Sequence, residues 1–422
     1  MNRRIFIGAV GTIGAALGAG AALPREAQQA PLNPQAGGSG ASGDRIERLV
    51  KSAPFFNASD NTTFSRLSGL QPGPLFNAEY IARLKRGGVT VVSASTVFHL
   101  YDDFYESGFR IFDFYKLMEQ YRDDLRPVLR YEDIELARRE GKIAILMHAH
   151  TPSIMDGDAR RLDLLHRLGL RVMGFSHIQS SVLAEGGGED LAEGDGGLTR
   201  LGKYIVSDMN RLHMVIDLAH VSDKSRLQAC AISRDPVLVS HTACRAVAAH
   251  ADPALSNRMI SDEGIRAVQK NGGVVGIFAL THILLADGDY QRADSIAPYV
   301  DHIEHVIKVA GIDFVGVGTE TQNGFVVRAG EKVGEDVAPL FEDMLDRLGP
   351  NTPAIDASSI KALADNKVPK GTNRVIGGMR DMGSAKRNLI VELIARGHSD
   401  EDIQKILGGN MLRVHRRVLE GA

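Results

Sequence analysis

The amino-acid sequence predicts a (β/α)8 TIM barrel, and three observations carry the prediction. Short apolar runs alternate with charged, amphipathic stretches, which is the pattern of repeated βα units. Eight such runs can be counted in order, each followed by helical sequence where one can be read, as an eight-stranded barrel requires. Two of the runs end on an imidazole: Met214 to His220, and Pro236 to His241. A β-rich apolar run ending on a polar ring reads as a buried parallel strand that delivers a side chain to the barrel mouth. Two imidazoles so placed either share a metal ion or hydrogen-bond within the core.

At the N-terminus, Arg3 and Arg4 precede a Gly/Ala-rich apolar stretch from Ile5 to Leu23. Residues 1–30 therefore read as a twin-arginine-type export signal, which predicts a periplasmic or secreted protein. The Gly and Ala content makes the stretch a poor permanent membrane span. Residues 31–44 are rich in Pro, Gly, Ser and Ala and are expected to be a flexible linker, with 45–422 forming one barrel domain.

Within that domain the first strand is expected near Phe55, and the others at 89–95, 143–148, 172–176, 214–218, 237–240, 273–279 and 314–318. Helices are expected at 112–125, 131–140, 158–168, 201–211, 222–233, 262–271, 299–310 and 400–407. The segment 322–380, with Pro339, Pro350, Pro353 and Pro369, is less periodic and reads as an excursion over the mouth or a contact to a partner subunit. A charged amphipathic helix broken at Gly408-Gly409-Asn410 follows at 399–421. A dinucleotide-binding fold is the runner-up, but no glycine-rich loop follows an early strand, and the glycines at 186–188 read as a loop.

Composition narrows the function. A chain of 422 residues that is 44% hydrophobic can bury a large core. A net charge of −3, no basic run and no Trp argue against a nucleic-acid partner. Cys230 and Cys244 are too few for a disulfide scaffold or a cysteine zinc site, so they are either one bridge or two buried thiols.

In a barrel, side chains at the C-terminal ends of the strands converge. Those positions here are Ser59 and Asn61, His148 and His150, His177, His220, His241 and Glu320. Five of the 14 histidines fall in this set, whereas His166 and His302 sit in helical patterns and read as surface or packing residues. His150, His220 and His241 with a water would complete a mononuclear metal site, and such a site lowers the pKa of its water to about 7. His148, Ser59 and Asn61 are further candidate ligands, and 148 shares a strand face with 150 because the side-chain period is two. The alternative for the 148–150 pair is a hydrogen-bonding group at the rim.

Several motifs, taken in order, carry a resemblance. They include Ser176-His177, Leu198-Thr199-Arg200-Leu201-Gly202, Asp217-Leu218-Ala219-His220-Val221-Ser222-Asp223 and Ser240-His241-Thr242-Ala243. Arg258 with Ile260-Ser261-Asp262-Glu263, Asn271-Gly272-Gly273-Val274-Val275-Gly276, Val315-Gly316-Val317-Gly318 and Gly408-Gly409-Asn410-Met411-Leu412-Arg413-Val414 continue it. From about Pro54 onward the chain resembles the membrane, or renal, dipeptidase family of zinc peptidases (peptidase family M19), within the amidohydrolase-like barrels.

The resemblance implies a metallohydrolase that cleaves a small peptide or amide. It implies His177 as a contact to the tetrahedral intermediate and Arg258 as the partner of the substrate carboxylate. It also implies Glu320, where the family has Asp, as the residue that moves a proton from water to the leaving amine. The family's His-x-Asp after strand one falls on Ser59 and Asn61, and its bridging Glu falls on His150. Ser and Asn are weak neutral ligands, so one zinc ion is expected rather than two.

Two functions follow. One is an exported dipeptidase-like hydrolase. The other is a catalytically inactive barrel that keeps the pocket for ligand binding or a structural role. Different acid/base chemistry on the same barrel, a lyase or isomerase, is a third and weaker option. A homodimer is an expectation by family analogy alone.

Overall fold

The computed structural model describes residues 40–62, 76–97, 104–177, 179–188, 194–320 and 375–421. Residues Asp44–Ala422 form one compact unit. The expected export signal lies outside the described residues, as does most of the 322–380 segment. No helix among the described residues is long and apolar enough to cross a membrane.

The strands are β1 (Phe56–Asp60), β2 (Val91–Val97), β3 (Leu125–Pro127), β4 (Ile143–Ala149), β5 (Leu170–Gly174), β6 (Val215–Asp217), β7 (Leu238–Thr242), β8 (Val274–Ile277) and β9 (Val315–Val317). Eight of them pair in the order β1-β2-β4-β5-β6-β7-β8-β9, and all pairings are parallel. The Glu320 N–H donates to the Ser59 carbonyl at 3.0 Å and the Thr319 N–H to Asn57 Oδ1 at 3.0 Å, which ties the end of β9 to β1. The architecture is a nearly closed (β/α)8 TIM barrel, as the alternation of runs predicted.

One strand escaped the sequence reading. The helix expected at 112–125 spans Phe104–Gln120, and Leu125–Pro127 is the short strand β3 beside the lower end of β4. Pro127 disfavours helical backbone at Arg126, so the helix has to stop before it. The helices Tyr131–Glu140 and Asp262–Asn271 lie where the periodicity put them. A helix over Gly40–Ser52 begins inside the stretch expected as linker. Cys230 and Cys244 are separate buried thiols.

Alternate residues of each strand divide the core. Phe56, Ala58, Val91, Leu146, Val172, Val215, Leu238 and Val274 form an inner cluster that also contains Met411, Val414 and Val418 of the helix Asn410–Leu419. The opposite faces pack against the surrounding helices. The Met411 Cε methyl lies 3.2 Å from where a Cβ at Gly276 would stand and 2.7 Å from one at Gly316, and at Gly276 the Ser240 carbonyl oxygen, 2.1 Å away, is what leaves no room for a side chain. Asn410 donates to the Ile312 and Val315 carbonyls and Arg413 to those of Gly272, Gly273 and Asp313. These contacts fix the helix under the N-terminal ends of β8 and β9. The opposite end of the barrel is left for chemistry.

Candidate metal centre and active site

Six of the eight barrel strands contribute one or two polar groups at the mouth. β1 runs into Ser59 and Asn61, β4 into His148 and His150, β5 leads to His177, β6 to His220, β7 carries His241 and β9 leads to Glu320. All of these residues, and Arg258, are buried. The loop after β6 is short because Ser222 caps the helix Asp223–Ile232, its hydroxyl accepting the Ser225 N–H at 3.1 Å. Ser261 caps the helix Asp262–Asn271 in the same way and holds the end of the segment that carries Arg258.

The four non-glycine residues with positive φ among the described residues are Asp156, His213, His220 (64°) and Glu320 (53°). Two of the four stand in the site. Left-handed backbone costs energy for a side chain of this size, and such strain concentrates where a side chain must be aimed.

The rings converge. Centroids of His220 and His241 are 4.7 Å apart, those of His150 and His241 5.1 Å, of His177 and His220 4.5 Å, and of His150 and His220 6.5 Å. His241 Nε2 lies 2.8 Å from His220 Nε2 and 3.4 Å from Glu320 Oε1, and His220 Nε2 lies 3.9 Å from the same oxygen. Ligand atoms of His150, His177, His220 and Glu320 all lie within 4.8 Å of one another. The structure thus gathers His150, His177, His220, His241 and Glu320 around one point, and the set whose ligand atoms lie within 4.8 Å of one another contains His177, which the resemblance made a substrate contact, and not His241.

These residues fit a divalent cation. Two nitrogens and a carboxylate oxygen bonded to one zinc at about 2.0–2.1 Å would stand about 3.3 Å apart, close to the separations observed here. His220 Nδ1 and Arg258 Nη1 are buried with no hydrogen-bond partner among the described residues. A buried cationic donor of that kind is open to an acceptor such as a substrate carboxylate.

Ser59 and Asn61 turn toward their neighbours. Ser59 Oγ lies 3.3 Å from His150 Nε2, and Asn61 Nδ2 donates to Glu320 Oε1 at 3.4 Å. His148 sits one layer deeper, with Ser93 Oγ 3.2 Å from Nδ1 and Asp217 Oδ2 3.1 Å from Nε2. Ser93, His148 and Asp217 have the residue types of a hydrolytic triad, but none is more than 1% exposed, so no substrate reaches the serine.

Electrostatics keep the site ready for a cation. Burial, with the neighbouring positive groups, holds the His150 and His220 imidazoles well below their ordinary value, so both are neutral. Burial alone would raise Glu320, but His241, Arg258 and His177 hold its carboxyl down to about 2. Asp217 is likewise raised by burial but brought down to about 2 by His148, His241 and Ser240. Burial lowers Arg258 to about 10, and the guanidinium still keeps its charge at neutral pH.

Sequence reasoning missed Asp217, Ser240, Phe278 and His282. Phe278 lies between the His241 ring at 5.8 Å and the His282 ring at 5.9 Å, with the Arg258 guanidinium 5.7 Å from its centroid. The signal available was strand alternation: 217 and 240 lie two residues on from the inward-facing Val215 and Leu238. His302, expected as a surface or packing residue, is buried and ties the Cys244 N–H to the Leu284 carbonyl.

The chain matches the family described as Membrane dipeptidase (Peptidase family M19) over residues 44–358 and 365–421. It is 25% identical over 304 residues to "Dipeptidase tcpJ" of Claviceps purpurea, a match that covers 72% of this chain and 57% of that protein. It therefore spans little more than half the length of this curated relative. Among solved structures it resembles an amidohydrolase from Pseudomonas aeruginosa, with 23% identity, a TM-score of 0.71, and 89% of this chain and 99% of that one covered. It also resembles a metallo peptidase from Rhodobacter sphaeroides liganded with a phosphinate mimic of the dipeptide L-Ala-D-Ala, with 17% identity, a TM-score of 0.65, and 87% and 99% covered. At these identities the solved structures speak for the fold.

Proposed function

The chain belongs to the membrane dipeptidase family, peptidase family M19, and on that premise we propose that it is an exported metallohydrolase that cleaves a small peptide or amide bond with one zinc ion. The observation that carries the reading is the convergence of His220 Nε2, His241 Nε2 and Glu320 Oε1 within 3.9 Å, flanked by His150 and His177. His220 and His241 hold the ion, with His150 as the third imidazole. When bound, the ion acts as a Lewis acid and lowers the pKa of water to about 7.

The chain's own residues do the rest. The Arg258 guanidinium pairs with the carboxylate of a dipeptide, and its unpartnered Nη1 supplies a free donor for that bond. His177 donates to the carbonyl oxygen as negative charge grows on it. Glu320, ionised throughout the neutral range, accepts a proton from the attacking water and returns it to the leaving amine as the C–N bond breaks. Burial of every group excludes bulk water and strengthens each of these contacts.

A second reading, a ligand-binding barrel without turnover, is favoured by one observation. Ser59 and Asn61 take the place of the family's His and Asp and bond to His150 and Glu320 rather than presenting strong ligands. The test is elemental analysis of full-length protein purified without added zinc, beside turnover of a dipeptide panel. The hydrolase reading expects about one metal equivalent, absent from His220→Ala, together with hydrolysis. Folded protein with no metal and no turnover overturns it in favour of the binding barrel.

Export is supported by Arg3 and Arg4 ahead of the apolar 5–23 stretch. Changing both arginines to lysine is expected to leave the protein in the cytoplasm of a bacterial host, and unaltered export would exclude the twin-arginine route.

A further inference from the structure

Beneath the mouth, the barrel interior carries a polar layer that the proposed reaction does not use. Ser93, His148, Asp217 and Ser240 lie two residues on from the inward-facing Val91, Leu146, Val215 and Leu238, and none is more than 1% exposed. Asp217 is its centre. Its Oδ1 accepts the N–H of Ser240 at 2.8 Å and of Ala219 at 3.0 Å. Its Oδ2 accepts the Ser240 hydroxyl at 2.5 Å, with His148 Nε2 3.1 Å away.

A carboxylate fed by two backbone N–H groups is ionised and can only accept. The single hydroxyl hydrogen of Ser240 therefore goes to Asp217. Ser240 Oγ also lies 2.7 Å from His241 Nδ1 and can only accept there, so that nitrogen carries the ring proton. With the proton on Nδ1, Nε2 is the ring atom left to face His220 and Glu320.

We propose that Asp217 and Ser240 are positioning residues whose carboxylate–hydroxyl relay locks His241 in the Nδ1–H tautomer and keeps its Nε2 lone pair turned into the ligand pocket. The two principal imidazoles then differ. His220 Nε2 faces the same point, 2.8 Å from His241 Nε2 and 3.4 Å from the Arg258 Nη2 donor, and its Nδ1 has no hydrogen-bond partner among the described residues. His241 has its Nδ1 held by the Ser240 hydroxyl, whereas no described residue holds His220 Nδ1.

The inference rests on the metal reading of this site, but its first readout is independent of it. Full-length protein labelled with ¹⁵N-histidine and held metal-free with a chelator is examined by long-range ¹⁵N–¹H correlation, with His241→Asn assigning the resonances. Wild type is expected to show His241 as Nδ1–H, and Ser240→Ala to show a shift of that ring toward Nε2–H. In competition with a chromophoric chelator, Zn²⁺ affinity is expected to fall about 10–100-fold in Ser240→Ala and in Asp217→Asn. Should Asp217→Asn fail to fold, Ser240→Ala, which removes one oxygen, still decides. An Nε2–H wild-type ring, an unchanged tautomer in Ser240→Ala, or affinities within about twofold of wild type would overturn the proposal. A wild-type protein that shows the Nδ1–H ring but binds no zinc would instead count against the hydrolase reading.

Discussion

On the β6–β9 side of the mouth, His220, His241 and Glu320 bring two ring nitrogens and a carboxylate oxygen within 3.9 Å of one another. On the β1 side, Ser59 and Asn61 bring a hydroxyl and an amide that bond to His150 and Glu320. Both sides are equally buried and are built by the same device, a strand delivering its end to the mouth. They differ in donor strength, since imidazole and carboxylate bind zinc well and hydroxyl and amide do not. One fold therefore carries a strong half-site and a weak one, and the barrel alone does not determine how many ions it holds.

Four outcomes break or sharpen that contrast. The largest effect is expected at Glu320→Gln, which keeps the shape but removes a carboxylate that is both a candidate ligand and the proposed proton acceptor. Steady-state turnover is expected to drop about 10²–10⁴-fold, and a loss matched by Ser59→Ala would erase the distinction between the sides. Next, Arg258→Met leaves a substrate carboxylate unpaired in a buried pocket. KM is expected to rise about 100-fold for dipeptides with a free carboxylate and to change little for their C-terminal amides, and equal effects on both would remove the carboxylate assignment.

Smaller changes are expected on the weak side. Ser59→Ala and Asn61→Ala each delete one neutral hydrogen bond, about 0.5–1.5 kcal/mol, so kcat/KM is expected to stay within about tenfold of wild type. A larger loss in either would show that the β1 side contributes to the chemistry. The smallest effect lies below both sides, at Asp217. Its folded pKa is held at about 2 against an ordinary 3.8, so it contributes stability that is full above about pH 4 and lost as pH falls through about 2. With metal removed, urea unfolding of wild type and Asp217→Asn is expected to differ at about pH 6 and to converge near pH 2, and a constant gap contradicts the assignment.

Much of this was legible in the sequence, and the exceptions have physical reasons. His220 and His241 could be read because each closes an apolar run, which states at once that the run is a strand and that its end is polar. β3 could not, because three residues ending at Pro127 carry no periodicity. The Asp217–Ser240–His148 layer was hidden for another reason. Alternation within one strand points such a residue inward, but which residues of three separate strands then meet is fixed by their pairing register. Glu320 was found as a strand-end acid, but its approach to His241 depends on a backbone φ of 53° that no residue type announces.

The Met411 thioether wedged against Gly276 and Gly316 has a consequence for biosynthesis. The stopper of the barrel floor lies in a helix that leaves the ribosome after all nine described strands. A nascent chain halted at β9 would own every strand end that builds the pocket, yet its hydrophobic interior would be unsealed and open to solvent from below. The reacting groups at one end thus wait on a thioether at the other, and a premature stop a few codons before 411 would cost the pocket its support without deleting a single residue that lines it.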